Sequence, residues 1–147
     1  DEGHAFRPAV GGEETVAEWT LGHVSDLEPL FIKYGVDIYA AGHAHMYETT
    51  WPMENNTLCH DTFDQRGKKP CTVYLTEGNG GVPGVPSASS LEWCNATNKG
   101  NVSAPAWCRN EGHGGAHGVV TVTATEWKYE HVENNGGNVT DTWTMKK

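Results

Sequence analysis

Two histidines stand two residues apart in Ala41-Gly42-His43-Ala44-His45-Met46-Tyr47-Glu48, directly after the apolar run Val36-Asp37-Ile38-Tyr39-Ala40. In extended backbone, side chains at i and i+2 point to the same side and lie roughly 6.5–7 Å apart. That spacing suits two imidazoles gripping one ion, or each reaching its own ion in a pair ~3.5–4 Å apart. Two histidines paired by chance on a surface loop would look the same in a chain holding eight of them. The spacing alone is a weak discriminator. Metal binding would require both rings on one side, just beyond the end of the strand Val36–Ala41, each with an acceptor for its other nitrogen. Gly42 would let the backbone turn tightly, and Ala44 would keep the space between the rings clear.

The segments that must carry this loop are legible on either side. Ser25 to Tyr34 reads as a helix: Ser25 is an N-cap, Glu28 completes a capping box, and Leu27, Leu30, Phe31 and Tyr34 form an apolar stripe. Gly35 fits the C′ position. Glu14 to Leu21 reads as a shorter helix and residues 1–13 as loop. Val36–Ala41, Met46–Trp51 and Thr72–Thr76 read as strands, with Asn55–Pro70 a polar loop and Gly78-Asn79-Gly80-Gly81 a turn. Residues 82–117 form a long stretch rich in Gly, Pro, Ser and Asn, of a length that calls for cross-links or a function. The end of the chain is a β-meander: Val120, Val122 and Ala124 alternate with threonines, Trp127–Val132 follows, and Asn134-Asn135-Gly136-Gly137 turns the chain into Val139–Met145. Its inner face is expected to pack under a sheet.

At 147 residues the chain can bury one core. A net charge of −9 argues against nucleic acid as a partner, because a phosphate backbone demands clustered cations. Arg66-Gly67-Lys68-Lys69 is read as a solvated loop tip. No apolar run approaches the ~20 residues of a membrane span. Four cysteines allow three pairings, and the short excursions between them favour Cys59–Cys71 and Cys94–Cys108 over a zinc site, whose ligand spacing is tighter. Four sequons, at Asn55, Asn95, Asn101 and Asn138, fall mostly in polar loops. Together with paired cysteines they point to the secretory route, hence a secreted or lysosomal/vacuolar glycoprotein.

Ser25-Asp26-Leu27-Glu28-Pro29-Leu30 through Asp37, the loop Gly42-His43-Ala44-His45-Met46-Tyr47-Glu48, Val73-Tyr74-Leu75-Thr76-Glu77-Gly78-Asn79-Gly80-Gly81 and the tail from Gly118 to Asp141 occur in an order that resembles the C-terminal half of a purple acid phosphatase, a branch of the calcineurin-like metallophosphoesterases. The family's loop reads "GHxHxYER" and its next strand closes on "GxGG". The resemblance implies an α/β fold: the second half of a four-layer sandwich ending in an antiparallel meander, with residues 1–147 as part of one domain. It implies hydrolysis of phosphate monoesters at a dinuclear centre of Fe(III) plus a divalent ion (Zn, Mn or Fe). His43 would hold the divalent ion and His45 the ferric one. The family's "DxG", "GDxxY" and "GNHE" ligand segments do not occur in this sequence. The remaining N-terminal part of the same protein is therefore the expected partner, and this stretch alone is not expected to be active. The start at Asp1 reads as that of a product or portion of something longer.

Some positions depart from the pattern. Phe6 stands before Arg7-Pro8 where the resemblance implies a further histidine ligand, so either His4 ligates through a small shift or this ligand is lost. Thr49 takes the place of the arginine of "YER", and Asn79 that of the aspartate in "GDGG". Tyr47 is read as loop packing. His113 and His117 lie in a Gly-rich stretch, exposed and available to a metal or substrate, though the resemblance implies packing. His23, His60 and His131 are read as surface or edge positions. Two rivals to the phosphatase reading follow: a catalytically degenerate secreted glycoprotein of the same fold, and a single-metal hydrolase built on His43 and His45.

Overall fold

The computed structural model describes residues 27–42, 45–55, 57–81, 107–112 and 114–146. Helix α1 covers 27–34 of these and ends as its glycine demands. Gly35 sits at φ +62°. Its N–H donates to the Ile32 carbonyl at 3.4 Å, and the Val36 N–H donates to Phe31 at 2.9 Å. These two bonds complete a Schellman cap, which satisfies carbonyls the helix would otherwise strand. The chain then enters β1 (Ile38–Ala41), followed by β2 (Tyr47–Thr50), β3 (Met53–Glu54), β4 (Thr57–Leu58) and β5 (Val73–Glu77). After the next described residues come β6 (Cys108–Gly112), β7 (Ala116–Val122), β8 (Glu126–Glu133) and β9 (Val139–Lys146).

One sheet has the order β1-β5-β2-β6, with β1 parallel to β5 and the other pairs antiparallel. The second is the expected meander, β7-β8-β9. Strand alternation sorts two cores. Tyr47, Val73 and Leu75 face the meander and cluster with Tyr129, Trp143, Met145 and Phe63, with Ile38 packed alongside. On the opposite face Tyr74 and Cys108 cluster with Met53 and Trp107, and Phe31 and Tyr39 pack against them. The described layering is thus helix, mixed sheet, meander. Aromatic rings supply much of each core: Phe31 lies 5.1 Å from Tyr39, Phe63 4.4 Å from Trp143, and Trp127 4.6 Å from Trp143. Each large ring buried contributes about 1.5–3 kcal/mol.

Several expectations are corrected. On α1, Leu30 and Tyr34 are 47% and 70% exposed, while Glu28 is buried. The Glu28 carboxylate accepts the Asn55 N–H at 2.7 Å and the Tyr74 hydroxyl at 3.4 Å. It therefore ties the helix to the β3–β4 turn, and Ser25, its expected capping partner, lies outside the described residues. The segment read as a plain polar loop opens with that small hairpin, turned at Asn55 with φ 49°. Strand β6 was not expected. In β7, Val119, Val120 and Val122 are all exposed, so its valine–threonine alternation does not mark a buried face. Cys59 and Cys71 are bonded, with Cα atoms 6.6 Å apart. Cys108 is also disulfide-bonded, while Cys94, its expected partner, lies outside the described residues, as do Asn95, Asn101, His4, His23 and the helix read at Glu14–Leu21.

Candidate metal loop and its polar support

The loop of interest joins β1 to β2 at the end where β1 and β5 run side by side, Ala41 opposite Thr76. Its rims are pinned to β5: the Gly78 N–H donates to the Met46 carbonyl at 3.1 Å. His45 lies on an exposed bend and Met46 behind it is buried. His43 and Ala44 fall outside the described residues. Gly42 does not use left-handed backbone, and a Cβ there would meet only the Glu77 carbonyl at 3.5 Å, an ordinary contact. The tight turn expected of Gly42 is not what places the loop.

Beneath the loop lies a polar layer. Tyr47 is fully buried and stacks on two rings, His131 at 4.1 Å and Tyr129 at 5.7 Å, both nearly parallel to it. Its hydroxyl accepts from Thr49 Oγ1 at 2.7 Å and donates to Asp141 Oδ2 at 2.6 Å. Asp141, on β9, is gripped by both terminal nitrogens of Arg109 on β6, with Nη2 to Oδ1 at 2.8 Å. Burial pushes the Asp141 carboxyl up, but hydrogen bonds from Arg109 and Tyr47 and the guanidinium charge outweigh it and hold it below the usual carboxylate range. Burial, with Asp141 as hydrogen-bond partner, drives the Tyr47 phenol well above its usual range, so it remains a donor.

A second group surrounds His131, which is 4% exposed and therefore not the surface position expected. Thr140 Oγ1 donates to the His131 carbonyl at 3.3 Å, so at 2.7 Å it accepts from Nδ1–H. Nε2 is left as a lone pair, 3.5 Å from Asn79 Nδ2 and 3.7 Å from Glu77 Oε1. Burial lowers the His131 pKa and raises that of Glu77. The other Glu77 oxygen accepts the Tyr129 hydroxyl. Asn79 also donates to the Gly114 carbonyl at 2.7 Å, which locks the glycine turn after β5. His117 is exposed, with Nδ1 2.9 Å from Asn134 Oδ1. His60 is half-buried, with Nδ1 2.8 Å from the Thr62 carbonyl. His113 is outside the described residues.

Among the described residues, the one trio of metal-type donors within reach of each other is Glu54, Cys59 and Cys71. Its cysteines are spent on the disulfide, so it is not a metal site. The described residues offer His45 as an accessible imidazole but no carboxylate cluster to complete a dinuclear set.

No family-wide sequence profile matches the chain. Human acid phosphatase type 7 is 34% identical over 74 residues, 47% of this chain and 16% of that protein. A soybean (Glycine max) purple acid phosphatase is 40% identical over 61 residues, 37% of this chain and 12% of that protein. Among solved structures, purple acid phosphatase from yellow lupin (Lupinus luteus) seeds superimposes with a TM-score of 0.59 over 82% of this chain, at 20% identity. The chain resembles purple acid phosphatases over part of its sequence and in its fold. The shared fold takes up 19% of the lupin chain, so this sequence corresponds to less than a fifth of a purple acid phosphatase of that size. Residue type and spacing alone do not mark Arg109, Asp141, Glu77 and His131 as parts of one cluster. A signal existed for two of them. Trp127, Tyr129 and His131 share one strand face, as do Asp141, Trp143 and Met145, so both polar groups sit in line with core aromatics.

Proposed function

We propose that this chain is the histidine-loop portion of a metal-dependent acid phosphatase that hydrolyses phosphate monoesters. The observation that carries the reading is the placement of His45. It lies on an exposed bend just before the buried strand β2, in a Gly-His-x-His loop of a chain similar to purple acid phosphatases in part of its sequence and in its fold. His43 and His45 would each hold one metal of an Fe(III) and divalent pair (Zn, Mn or Fe), with His4 as a further donor. The carboxylate and amide ligands would come from the remaining part of the protein. When bound, such ions neutralise phosphate oxygens and acidify a water molecule. This chain's own contribution is to hold the imidazoles. β1 and β5 fix the loop rims, and the buried layer of Tyr47, Asp141 and Arg109 keeps the exit strand from moving. The wider four-layer sandwich belongs to the same proposal, and so does passage through the secretory route, for which Asn55 and Asn138 are both exposed glycosylation candidates.

Thr49 favours a second reading, a degenerate phosphatase fold kept as a secreted binding or structural glycoprotein, because it stands where the resemblance predicts arginine. Turnover of p-nitrophenyl phosphate by the intact, full-length protein separates the two. Hydrolysis that is lost in His43→Ala and His45→Ala, with the fold retained, supports the enzyme. A folded, metal-supplied protein with no turnover supports the degenerate fold.

A further inference from the structure

We infer that Arg109 is the cation that positions the histidine loop, entering from β6 the polar cluster that an arginine at position 49 would otherwise serve. The inference deepens the metal reading of His45 and rests on it.

The argument begins with a register shift. β2 pairs with β6 so that Thr49 faces Asn110, yet Thr50 faces Cys108. Arg109 is the extra residue of a β-bulge. Directly opposed residues in an antiparallel pair share a face, and regular pairing would have put Arg109 opposite Thr50, pointing away from the meander. A bulge re-aims the side chain it carries. Here it turns Arg109 onto the meander side, where its guanidinium meets Asp141 of β9 and lies 5.4 Å from the centre of the Phe63 ring. Asn110 donates to the same carboxylate. Arg109 and Asp141 side chains are 15% and 9% exposed, so the pair is nearly dry. Removing one member of such a pair leaves the other charge stranded.

The pair leads straight to the loop. Asp141 accepts the Tyr47 hydroxyl, and Tyr47 stands two residues after His45. Thr49 Oγ1 reaches the same hydroxyl from the next inward position of β2. An arginine at 49 would therefore point into this cluster, and its side chain is long enough to reach Asp141. The chain holds a threonine there and brings the cation across from the neighbouring strand. Arg109 touches neither ion nor substrate in this account; it acts through Asp141 and Tyr47, as a positioning residue.

The test uses the full-length protein with Arg109→Ala, Arg109→Lys and the exchange Arg109→Ala/Thr49→Arg. Three readouts are taken: Zn(II) affinity by chelator competition, kcat against KM for p-nitrophenyl phosphate, and hydrogen exchange of the β2 amides. Loss of a residue that orients a metal ligand typically costs 10–100-fold in affinity. Because Arg109 acts through Asp141 and Tyr47 rather than on the imidazole itself, Arg109→Ala should lose about 10-fold, the low end of that range, lower kcat with little change in KM, and speed β2 exchange. Lysine should restore only part of this, since it lacks the fork geometry. The exchange variant should recover most of all three. Wild-type affinity and β2 protection in Arg109→Ala overturn the inference. So does an exchange variant that regains thermal stability without regaining Zn(II) affinity, which would make Arg109 merely structural. If Arg109→Ala fails to fold, the lysine and exchange variants decide by the same criteria. A wild-type protein with neither Zn(II) binding nor turnover defeats the functional reading itself; β2 exchange in the variants then still decides whether Arg109 holds the strand.

Discussion

Gly118 on β7 carries the sharpest steric consequence of the fold. A Cβ there would lie 2.7 Å from Tyr129 Cε2, 2.8 Å from its hydroxyl oxygen and 3.0 Å from Cζ. Optimal carbon–carbon contact is about 3.5–4.0 Å, so the ring must retreat by a large part of an ångström. It has nowhere to go. Tyr129 is fully buried, stacked on Tyr47 at 5.7 Å and on Trp127 at 5.8 Å, with its hydroxyl held by Glu77. Overpacking of this kind costs about 1–3 kcal/mol. Replacing glycine by alanine returns about 0.4–1 kcal/mol by narrowing the unfolded ensemble. Gly118→Ala should therefore be destabilised by about 1–2 kcal/mol net, read as a lowered urea midpoint with an unchanged slope. Near-ultraviolet circular dichroism should change as the stack of Tyr47, Tyr129 and Trp127 is disturbed. Gly42→Ala is the matched control, since its Cβ meets a single carbonyl at 3.5 Å, and it should be neutral or slightly stabilised. A Gly118→Ala protein as stable as that control would refute the packing of β8 against β7 described above.

Breaking the Cys59–Cys71 bridge by Cys→Ser at both positions opens a loop of sequence separation 12 and should cost about 3 kcal/mol; a urea midpoint that barely moves would mean the reduced chain is already constrained there. Glu77 titrates above its usual range because burial opposes its charge. The native state thus holds this proton more tightly than the unfolded one. Its contribution is most favourable below the ordinary glutamate pKa and is lost as pH rises through the raised native value. Glu77→Gln removes that decline, so its stability relative to wild type should be greater at pH 7 than at pH 4. A Gln-minus-wild-type difference that is the same at both pH values would contradict the burial of Glu77.

Local chemistry was readable wherever one residue decides the geometry. Gly35 ends the helix because only a left-handed residue closes that cap, and Asn134-Asn135-Gly136-Gly137 turns β8 into β9 with both glycines at positive φ. The strands at β1, β2, β5 and the meander followed from apolar and β-branched runs. What remained hidden depends on contacts between distant segments. Arg109-Asn110-Glu111 carries no strand signal, and its meaning arises only when a bulge against β2 aims Arg109 at Asp141, 32 residues away. Leu30 and Tyr34 share helical spacing with Phe31, yet the described fold presents a buried glutamate on that helix because Asn55 and Tyr74 satisfy it. The valines of β7 read as a buried face, but that strand lies at the edge of the meander and Val119, Val120 and Val122 are exposed.

The most direct test of the proposed function is the metal content of the intact, full-length protein, wild type against His45→Ala, measured by elemental analysis on samples matched for folding by circular dichroism. The proposal predicts about two ions per wild-type molecule, as two-metal phosphoesterase chemistry requires, and about one in the variant, with the fold unchanged because His45 lies on an exposed bend. Equal metal content in the two proteins, or none in either, would contradict it.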